Sequence, residues 1–390
     1  MENSMKNYKK ILSVVMTAAM AASLAACGNS TANTSSTTDA AASDAAQASD
    51  AAATESGAGT SSDGKKYTIG ICQQLEHPAL DQATQGFEDA LTELLGSGNV
   101  TFDLQNAQGE QANCATISNG FVANNYDLIL ANATTALQCA AAATSTIPVI
   151  GTSVTDYATA LDIDNWTGST GTNVSGTADL APIDQQEDML VELFPDAKNV
   201  GILYCSAEPN SAYQASEFEK ALDEDSISYK EYTVSDSNDI ASVVQSAVSE
   251  CDVLYIPTDN TMAGNTESIN NIALPAGVPI IAGEEGICSG CGVATLSISY
   301  YDIGYTAGKM AYDVLVNGAD ISTMDVQYAE NVTKEYNADI CSQLGITVPD
   351  DYVAIGEAAE DTEEASDDAD AADEATAETA EDDATEEADE

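Results

Sequence analysis

The sequence contains no arginine and a single histidine, His77, because all ten of its basic residues are lysines. It has 65 aspartates and glutamates, which give a formal net charge of −55. Nucleic-acid binding depends on basic side chains that neutralise phosphates, so this composition argues against a nucleic-acid partner. The lack of arginine also removes the usual bidentate clamp for a carboxylate. A bound anion must therefore be held by backbone N–H groups and hydroxyls.

Side chains typical of catalysis and of metal binding are scarce as well. One histidine and no Gly-x-Ser-x-Gly motif give little basis for a hydrolase. Residues 59–65 resemble a phosphate-binding loop, but that motif requires Ser or Thr at the next position, where this chain has Lys66. We therefore expect no enzyme activity and no cofactor. Nine cysteines are present, and Cys288 and Cys291 form a Cys-x-x-Cys pair in a glycine-rich stretch. A zinc site needs four ligands, so we expect no metal there. A local disulfide and two free thiols both remain open.

The amino terminus has the features of an export signal. Three lysines between positions 6 and 10 precede an apolar run over residues 11–20, which is too short for a stable membrane span. The run is followed by Leu-Ala-Ala and then Cys27. This order resembles bacterial lipoprotein signals, which implies that residues 1–26 are removed and that Cys27 is lipidated. An ordinary signal with a chance cysteine is the alternative. No other apolar run in the sequence reaches membrane-spanning length.

Two low-complexity segments flank a central region of about 290 residues. Residues 27–64 are mostly Ser, Thr, Ala, Asp and Gly, and residues 357–390 include 18 aspartates and glutamates. Neither segment has enough large apolar side chains to offset the entropy lost on folding. We predict a disordered tether and a disordered acidic tail, separated by enough chain for two domains.

The central region alternates short β-rich runs with helical patterns, in two blocks of about four strands each. The strand-like runs are continuously apolar, as expected for a parallel sheet covered by helices on both faces. Alternating units of this kind predict an α/β protein with two doubly wound lobes. The predicted strands are 67–72, 99–105, 127–131 and 147–151 in the first block, and 199–204, 228–234, 251–256 and 278–282 in the second.

Polar residues follow nearly every predicted strand. In open α/β sheets, ligands bind beyond the carboxyl ends of the strands. Thr134 and Thr135 begin a predicted helix and offer hydroxyls and free N–H groups to an anion. Asp156, Asp259 and Glu285 are available to meet a cation. The collected strand ends therefore predict a cleft that binds a small zwitterion, although capping and turn chemistry would explain each loop on its own.

These same strand ends carry a family resemblance that spans residues 65–352. The chain resembles the substrate-binding lipoproteins of bacterial ABC transporters, in the tryptophan/tyrosine-type group. The matching strings are IGICQQLEHPALDQATQGFEDAL at 69–91, NAQG at 106–109, DLILANATTALQ at 127–138, TSVTD at 152–156, NVSGTADL at 173–180, PTDN at 257–260 and AGEEG at 282–286. The acidic tail and the Cys-Ser-Gly-Cys loop depart from the usual pattern.

The resemblance implies a type I periplasmic-binding-protein fold, with two lobes that are joined by three crossovers and close on a ligand. We place the first lobe at residues 65–179 and 298–323, and the second at 180–297 and 324–356. The resemblance also implies a permease and an ATPase subunit as partners of a monomeric, membrane-anchored protein on the extracytoplasmic face. The ligand-binding positions that it implies are Glu76, His77, Thr134, Thr135, Asp156, Asp179, Asp259, Asn260 and Glu285.

Within that set, our hypothesis gives the carboxylate of an aromatic amino acid to Thr134 and Thr135, and the ammonium to Asp259 or Glu285. Tyr157 or Tyr213 would stack on the aromatic side chain, unless they are ordinary packing residues. Three alternatives remain: the same fold with a sugar or nucleoside ligand, a sensory receptor, and an exported hydrolase.

Overall fold

Two parallel sheets form the framework of the computed structural model, which describes residues 64–329 and 331–356. The first sheet has the strand order β11-β5-β4-β3-β1-β2, and its neighbouring strands all run parallel. Its strands are β1 (Tyr67–Gln73), β2 (Val100–Asn106), β3 (Leu128–Asn132), β4 (Val149–Val154), β5 (Val174–Ala178) and β11 (Gln327–Tyr328).

The second sheet has the order β13-β12-β10-β9-β8-β6-β7, and β12 is the one strand in it that pairs antiparallel, with β10. Its strands are β6 (Asn199–Cys205), β7 (Ser228–Val234), β8 (Val253–Ile256), β9 (Ile280–Ala282), β10 (Ala294–Ser297), β12 (Thr333–Tyr336) and β13 (Val353–Ala354). The central strands of both sheets are buried along their whole length. These strands confirm the predicted fold class, an α/β protein with two parallel-sheet lobes.

Helices cover both faces of each sheet, because each strand-to-strand crossover returns through a helix. In the first lobe they are α1 (Pro78–Leu95), α2 (Gln111–Ala123), α3 (Thr134–Ala143), α4 (Tyr157–Leu161) and α11 (Tyr300–Tyr312). In the second lobe they are α5 (Ile183–Leu193), α6 (Pro209–Glu224), α7 (Ile240–Glu250), α8 (Asn260–Ala263), α9 (Thr266–Ala276), α10 (Glu285–Cys291) and α12 (Ala338–Leu344).

The chain passes between the sheets three times: after β5, after β10, and between Tyr328 and Thr333. The last passage lies a few residues beyond the expected boundary at residues 323 and 324, because β11 pairs in parallel with β5 and so belongs to the first sheet. Strand β5 itself lies in a stretch that we expected to be a break between the blocks. Its sequence, Val-Ser-Gly-Thr-Ala, is fully buried but contains a single large apolar side chain, so hydrophobic pattern alone did not indicate a strand.

Helix α11 belongs to the first lobe although it follows the second in sequence. It packs on α1 at backbone distance through glycines. A Cβ added at Gly304 would lie 2.0 Å from the carbonyl oxygen of Ala83, and one at Gly86 would lie 2.1 Å from that of Tyr301. Side chains at these two positions would separate the two helices. The close packing of α11 on α1 therefore fixes the position of Tyr300, the first residue of α11.

The cysteines of the described ranges pack as small apolar residues. Cys288 and Cys291 are buried on α10 as free thiols, and the other six cysteines in residues 64–329 and 331–356 are free as well. Burial raises the pKa of both the Cys288 and the Cys291 thiol, which disfavours the reactive thiolate.

Within the described ranges, no helix combines the length and the apolar character needed to cross a bilayer. The predicted signal over residues 1–26, the tether, Cys27 and the acidic tail all lie outside the residues that the structure describes.

Candidate ligand-binding site

Three chambers lie where the strand ends of the two lobes face each other. The central chamber is small, about 10 Å³, and is lined by His77, Leu80, Ser153, Asp179, Asn210, Thr258, Asp259, Asn260, Ala263, Glu284 and Tyr300. The mouth chamber, about 510 Å³, lies between the loops after the edge strands β2 and β7. The flank chamber, about 220 Å³, lies between the start of α1 and helix α10. Residues from both lobes line all three.

Three residues that line the central chamber each have a polar side-chain atom that is buried without a hydrogen-bond partner. These atoms are His77 Nδ1, Ser153 Oγ and Asp179 Oδ1, and their residues are 8%, 4% and 4% exposed. A buried polar atom without a partner costs about 1–3 kcal/mol. Of the ten such atoms in the described ranges, three belong to residues that line this one chamber, which makes it the candidate binding site.

The hydrogen-bond network around His77 fixes the role of its free nitrogen. Asn260 donates through Nδ2 to Glu208 Oε2 at 2.7 Å, which turns Asn260 Oδ1 towards His77 Nε2 at 3.1 Å. The imidazole Nε2–H therefore donates to Asn260 across the cleft. Burial lowers the pKa of His77 and favours the neutral ring. In that neutral tautomer, Nδ1 presents a lone pair to the chamber.

Glu208 organises the wall that the second lobe contributes. Its two carboxylate oxygens accept hydrogen bonds from the backbone amides of Asn260 (3.1 Å) and Thr261 (2.8 Å), and from the Thr261 hydroxyl (2.7 Å). Together with the Asn260 side-chain bond, these contacts hold the first turn of α8 against the loop after β6. His77, Asn260 and Glu208 thus form a continuous chain from the first lobe into the second.

Asp179 lies where the chain first leaves the first lobe. Its Oδ2 accepts a hydrogen bond from the Tyr300 hydroxyl at 3.0 Å, while Oδ1 has no partner. Burial raises the pKa of this carboxyl group, and the side chains of Tyr300 and Thr155 partly oppose that shift by hydrogen bonding. A cation placed at Oδ1 would offset the desolvation cost of the ionised form.

Two further carboxyl groups, Asp259 and Glu284, are buried at the cleft, and a nearby positive charge would favour the ionised form of each. Burial, together with the nearby charge of Glu208, raises the pKa of Asp259. Burial raises the pKa of Glu284 to about 7. The lining residues of the three chambers, all within the described ranges, include no lysine. The electrostatics therefore favour a ligand that brings its own positive charge.

Asp259 is already fully engaged by the protein, so its expected contact with an ammonium group is not supported by the geometry. Its Oδ1 accepts from the Met262 amide at 2.8 Å as the cap of α8, and its Oδ2 accepts from the Cys205 amide at 2.6 Å. Glu285 lines the flank chamber and not the central one. The unpartnered carboxylate oxygen of the central chamber belongs to Asp179.

Thr134 and Thr135 lie at the start of α3, as expected. The Thr134 hydroxyl is buried without a partner, and Thr135 lines the mouth chamber. The Thr135 amide donates to Gln74 Oε1 at 3.2 Å, so a carboxylate at this helix end would compete with Gln74. The positive end of the helix dipole adds to the attraction for an anion.

Three non-glycine residues in or beside the chambers have a positive φ, which is unusual for such residues. Gln108 of the mouth chamber has a φ of 58°, Ala133 a φ of 89° and Ser153 a φ of 55°. Ser153 lies where the register of β4 with β5 shifts, between Gly151 and Val154. Strained backbone of this kind persists where the surrounding structure holds it, and it is concentrated at functional sites.

The structure does not bring Glu76 and Asp156 to the central chamber. Glu76 is exposed and lines a separate outer groove with Asp81 and Leu104. Asp156 caps α4, because its Oδ1 accepts from the Thr159 amide at 2.6 Å. The capping role explains why an aspartate follows β4.

Neither tyrosine suggested for stacking lines the central chamber. Tyr157 is buried in the first lobe and donates its hydroxyl hydrogen to the Thr177 carbonyl at 3.1 Å. Tyr213 lies on α6 and lines none of the three chambers. The tyrosine of the central chamber is Tyr300, which begins α11.

Sequence reasoning missed Ser153, Glu208 and Tyr300. Ser153 lies inside the TSVTD string, but the prediction named Asp156, the carboxylate of that string, as the ligand-binding residue. Tyr300 follows β10, a strand whose end was not among those collected for the site. Glu208 follows β6 and could have been found by the same rule. Within residues 64–329 and 331–356, no group of three or more His, Cys, Asp or Glu residues is arranged to hold a metal ion.

Known proteins with related sequences and folds agree with this architecture. A Clostridioides difficile (strain R20291) tyrosine-binding protein is 36% identical over 271 residues, which are 68% of this chain and 78% of that protein. A Streptococcus pneumoniae ABC domain solved in complex with L-Trp is 32% identical, with a TM-score of 0.70, over 73% of this chain and 97% of that one. The ligand-free, open structure of a Clostridium difficile substrate-binding protein with adhesive properties is 34% identical, with a TM-score of 0.58, over 74% and 99%.

The TM-score is thus higher with the L-Trp complex than with the ligand-free, open structure. The family model described as ABC transporter substrate binding protein matches residues 68–360. The fold is that of the type I periplasmic binding proteins, and the chain belongs to the family of ABC transporter substrate-binding proteins.

Proposed function

We propose that this substrate-binding protein takes up a free aromatic amino acid, and that the ammonium group of the ligand lies in the central chamber. One observation carries the proposal: His77 Nδ1, Ser153 Oγ and Asp179 Oδ1 are three unpartnered acceptors around one chamber. A primary ammonium group has three N–H donors. The match in number, together with the carboxylate charge, selects a protonated primary amine over a neutral hydroxylated ligand.

The size of the central chamber agrees with an ammonium group. At about 10 Å³ it accommodates roughly one water-sized group, which is the size of –NH₃⁺. The rest of an amino acid must occupy the adjoining chambers. Because both lobes contribute walls, the lobes must separate to admit the ligand and close again around it.

The carboxylate of the ligand is assigned to the start of α3. The buried Thr134 hydroxyl and the N-terminal amides of this helix are the donors on that side of the cleft. With no arginine in the chain, hydroxyl and amide donors replace the usual clamp. The charge distribution therefore suits a zwitterion, with its two ends on separate groups of the first lobe.

The aromatic class of the ligand is supported by the relatives. One relative is a tyrosine-binding protein, and a solved relative contains L-Trp. Closure on the ligand gains contacts from both lobes, so only the liganded form favours the closed state strongly. We propose that the closed monomer then delivers its ligand to the ABC permease, whose ATPase subunit drives import.

We also propose that the mature chain is held at the extracytoplasmic face by lipid on Cys27. The support is the order of a basic segment, an apolar run and Leu-Ala-Ala-Cys in the sequence. Cells that are fed an alkyne-labelled fatty acid should yield labelled protein, and a Cys27→Ser variant should lose the label and the membrane fraction. Unlabelled wild-type protein would contradict the anchor.

The ligand proposal is tested by thermal unfolding in the presence of candidate ligands. A ligand at about 1,000 times its Kd stabilises the folded state by about 4 kcal/mol. For about 290 folded residues, whose unfolding entropy is about 2.1 cal/mol/K per residue, we expect tyrosine, tryptophan or phenylalanine to raise Tm by roughly 7 °C at that concentration.

Matched analogues isolate the role of the ammonium group. 3-(4-Hydroxyphenyl)propionate lacks only the amine of tyrosine and should give little or no shift. Sugars and nucleosides should also leave Tm unchanged. A shift produced by a sugar, with none from the three aromatic amino acids, would overturn the proposed ligand class.

A further inference from the structure

We propose that the flank chamber holds the side chain of the ligand, and that Glu285 accepts a hydrogen bond from a donor at its far end. The protein would then prefer tyrosine or tryptophan to phenylalanine, which lacks such a donor. The inference rests on the proposed function, because it starts from an ammonium group in the central chamber.

Continuity between chambers decides the direction of the side chain. Ala263, Glu284 and Tyr300 line both the central and the flank chamber, so a ligand can reach from one into the other. The carboxylate, which is bonded to the same carbon as the ammonium group, is assigned to the start of α3, where Thr135 lines the mouth chamber. The flank chamber, which shares three lining residues with the central chamber, is therefore the space left for the side chain.

The walls of the flank chamber suit a flat apolar group. Ala79 of the first lobe, Ala263 of the second and the ring of Tyr300 supply apolar surface. Gly290 also lines the chamber, and a Cβ there would lie 2.3 Å from Thr266 Oγ1, so glycine at this position allows α10 to pack closely against the start of α9. The flank chamber has a volume of about 220 Å³, against about 10 Å³ for the central chamber.

Glu285 is the carboxylate of this chamber that remains available. Glu284, its neighbour, uses both oxygens on the amides of Gly286 and Ile287, each at 2.6 Å, as the cap of α10. The Glu285 carboxylate is half-buried and makes no hydrogen bond in the described ranges of the structure. A phenolic O–H or an indole N–H would supply the donor that this carboxylate lacks.

The test compares tyrosine and phenylalanine, which differ by one hydroxyl group, in binding to wild-type protein and to two matched variants. Affinities are measured by isothermal titration calorimetry for Glu285→Leu and Glu110→Leu, which remove one carboxylate from the flank and the mouth chamber respectively. We expect wild type to bind tyrosine at least tenfold more tightly than phenylalanine. Glu285→Leu should reduce that ratio at least tenfold without weakening phenylalanine, and Glu110→Leu should leave the ratio unchanged.

A third variant and the ligand-free Tm keep the result interpretable. Glu285→Gln retains an oxygen acceptor and should restore part of the preference for tyrosine, while equal Tm values show that the variants fold. Equal affinities of wild type for the two amino acids, an unchanged ratio in Glu285→Leu, or a ratio lost in Glu110→Leu would each overturn the assignment. The proposed function fails separately, if wild type binds no amino acid at all.

Discussion

Replacing Asp179 with asparagine is expected to weaken the binding of an aromatic amino acid by about 100-fold or more. The substitution keeps the shape of the side chain and an oxygen that can accept from the Tyr300 hydroxyl, but it removes the negative charge. Removing one partner of a buried, hydrogen-bonded charge pair costs about 2–5 kcal/mol. Isothermal titration calorimetry with tyrosine, at one pH, measures the loss directly.

The same substitution should leave the ligand-free protein at least as stable as wild type. Burial raises the pKa of Asp179, which means that the ionised carboxylate is less favourable in the folded protein than in the unfolded chain. A neutral amide avoids that cost. Loss of binding without loss of stability would distinguish a ligand contact from a structural carboxylate.

Asp156→Asn is the matched control for this prediction. It removes the same charge from a residue of the same lobe, but Asp156 caps α4 and does not line the central chamber. We expect tyrosine affinity to change less than threefold in this variant. Equal losses in both variants would mean that general charge, and not the Asp179 contact, attracts the ligand.

The fold was predictable from sequence because its strongest signal is repetitive. Buried parallel strands need continuous apolar runs, and those runs alternate with helical patterns in both blocks. The signal failed at β5, which carries small side chains. Its pairing with β4 and with β11, which lies about 150 residues further along the chain, holds it in the first sheet and leaves no local pattern.

The region of the candidate site was predictable from sequence, but which of its side chains face the cleft and which cap helices was not. Strand ends indicated His77 and Asn260, and the family resemblance indicated Asp179; all three line the central chamber. An aspartate after a strand, however, either caps the next helix or faces the cleft, and its residue type is the same in both cases. Asp156 and Asp259 are caps, whereas Asp179 follows a strand that leads into the hinge and has no helix amide to cap. Only three-dimensional contacts separate these roles.

Replacing Asn260 with alanine is expected to weaken tyrosine binding about tenfold and to shift the protein towards separated lobes. The His77–Asn260 hydrogen bond joins the first lobe to the second across the cleft, and Glu208 orients the Asn260 amide that accepts it. Closure makes this bond and separation breaks it, so the bond stabilises the closed state alone. Its loss removes about 1–2 kcal/mol of closure free energy, and part of that loss appears as lower affinity.

Asn265→Ala serves as the control, because the side-chain amide of Asn260 forms a hydrogen bond across the cleft and that of Asn265 does not. Asn265 lies on the same lobe but donates within it, to the Thr261 carbonyl at 2.8 Å. A fluorophore pair with one dye on each lobe reports lobe separation, while calorimetry reports affinity. We expect Asn260→Ala to lower the closed fraction at subsaturating tyrosine and Asn265→Ala to leave it unchanged. If both variants close like wild type, the bond contributes nothing to closure, and the desolvated His77 acts on the ligand through Nδ1 alone.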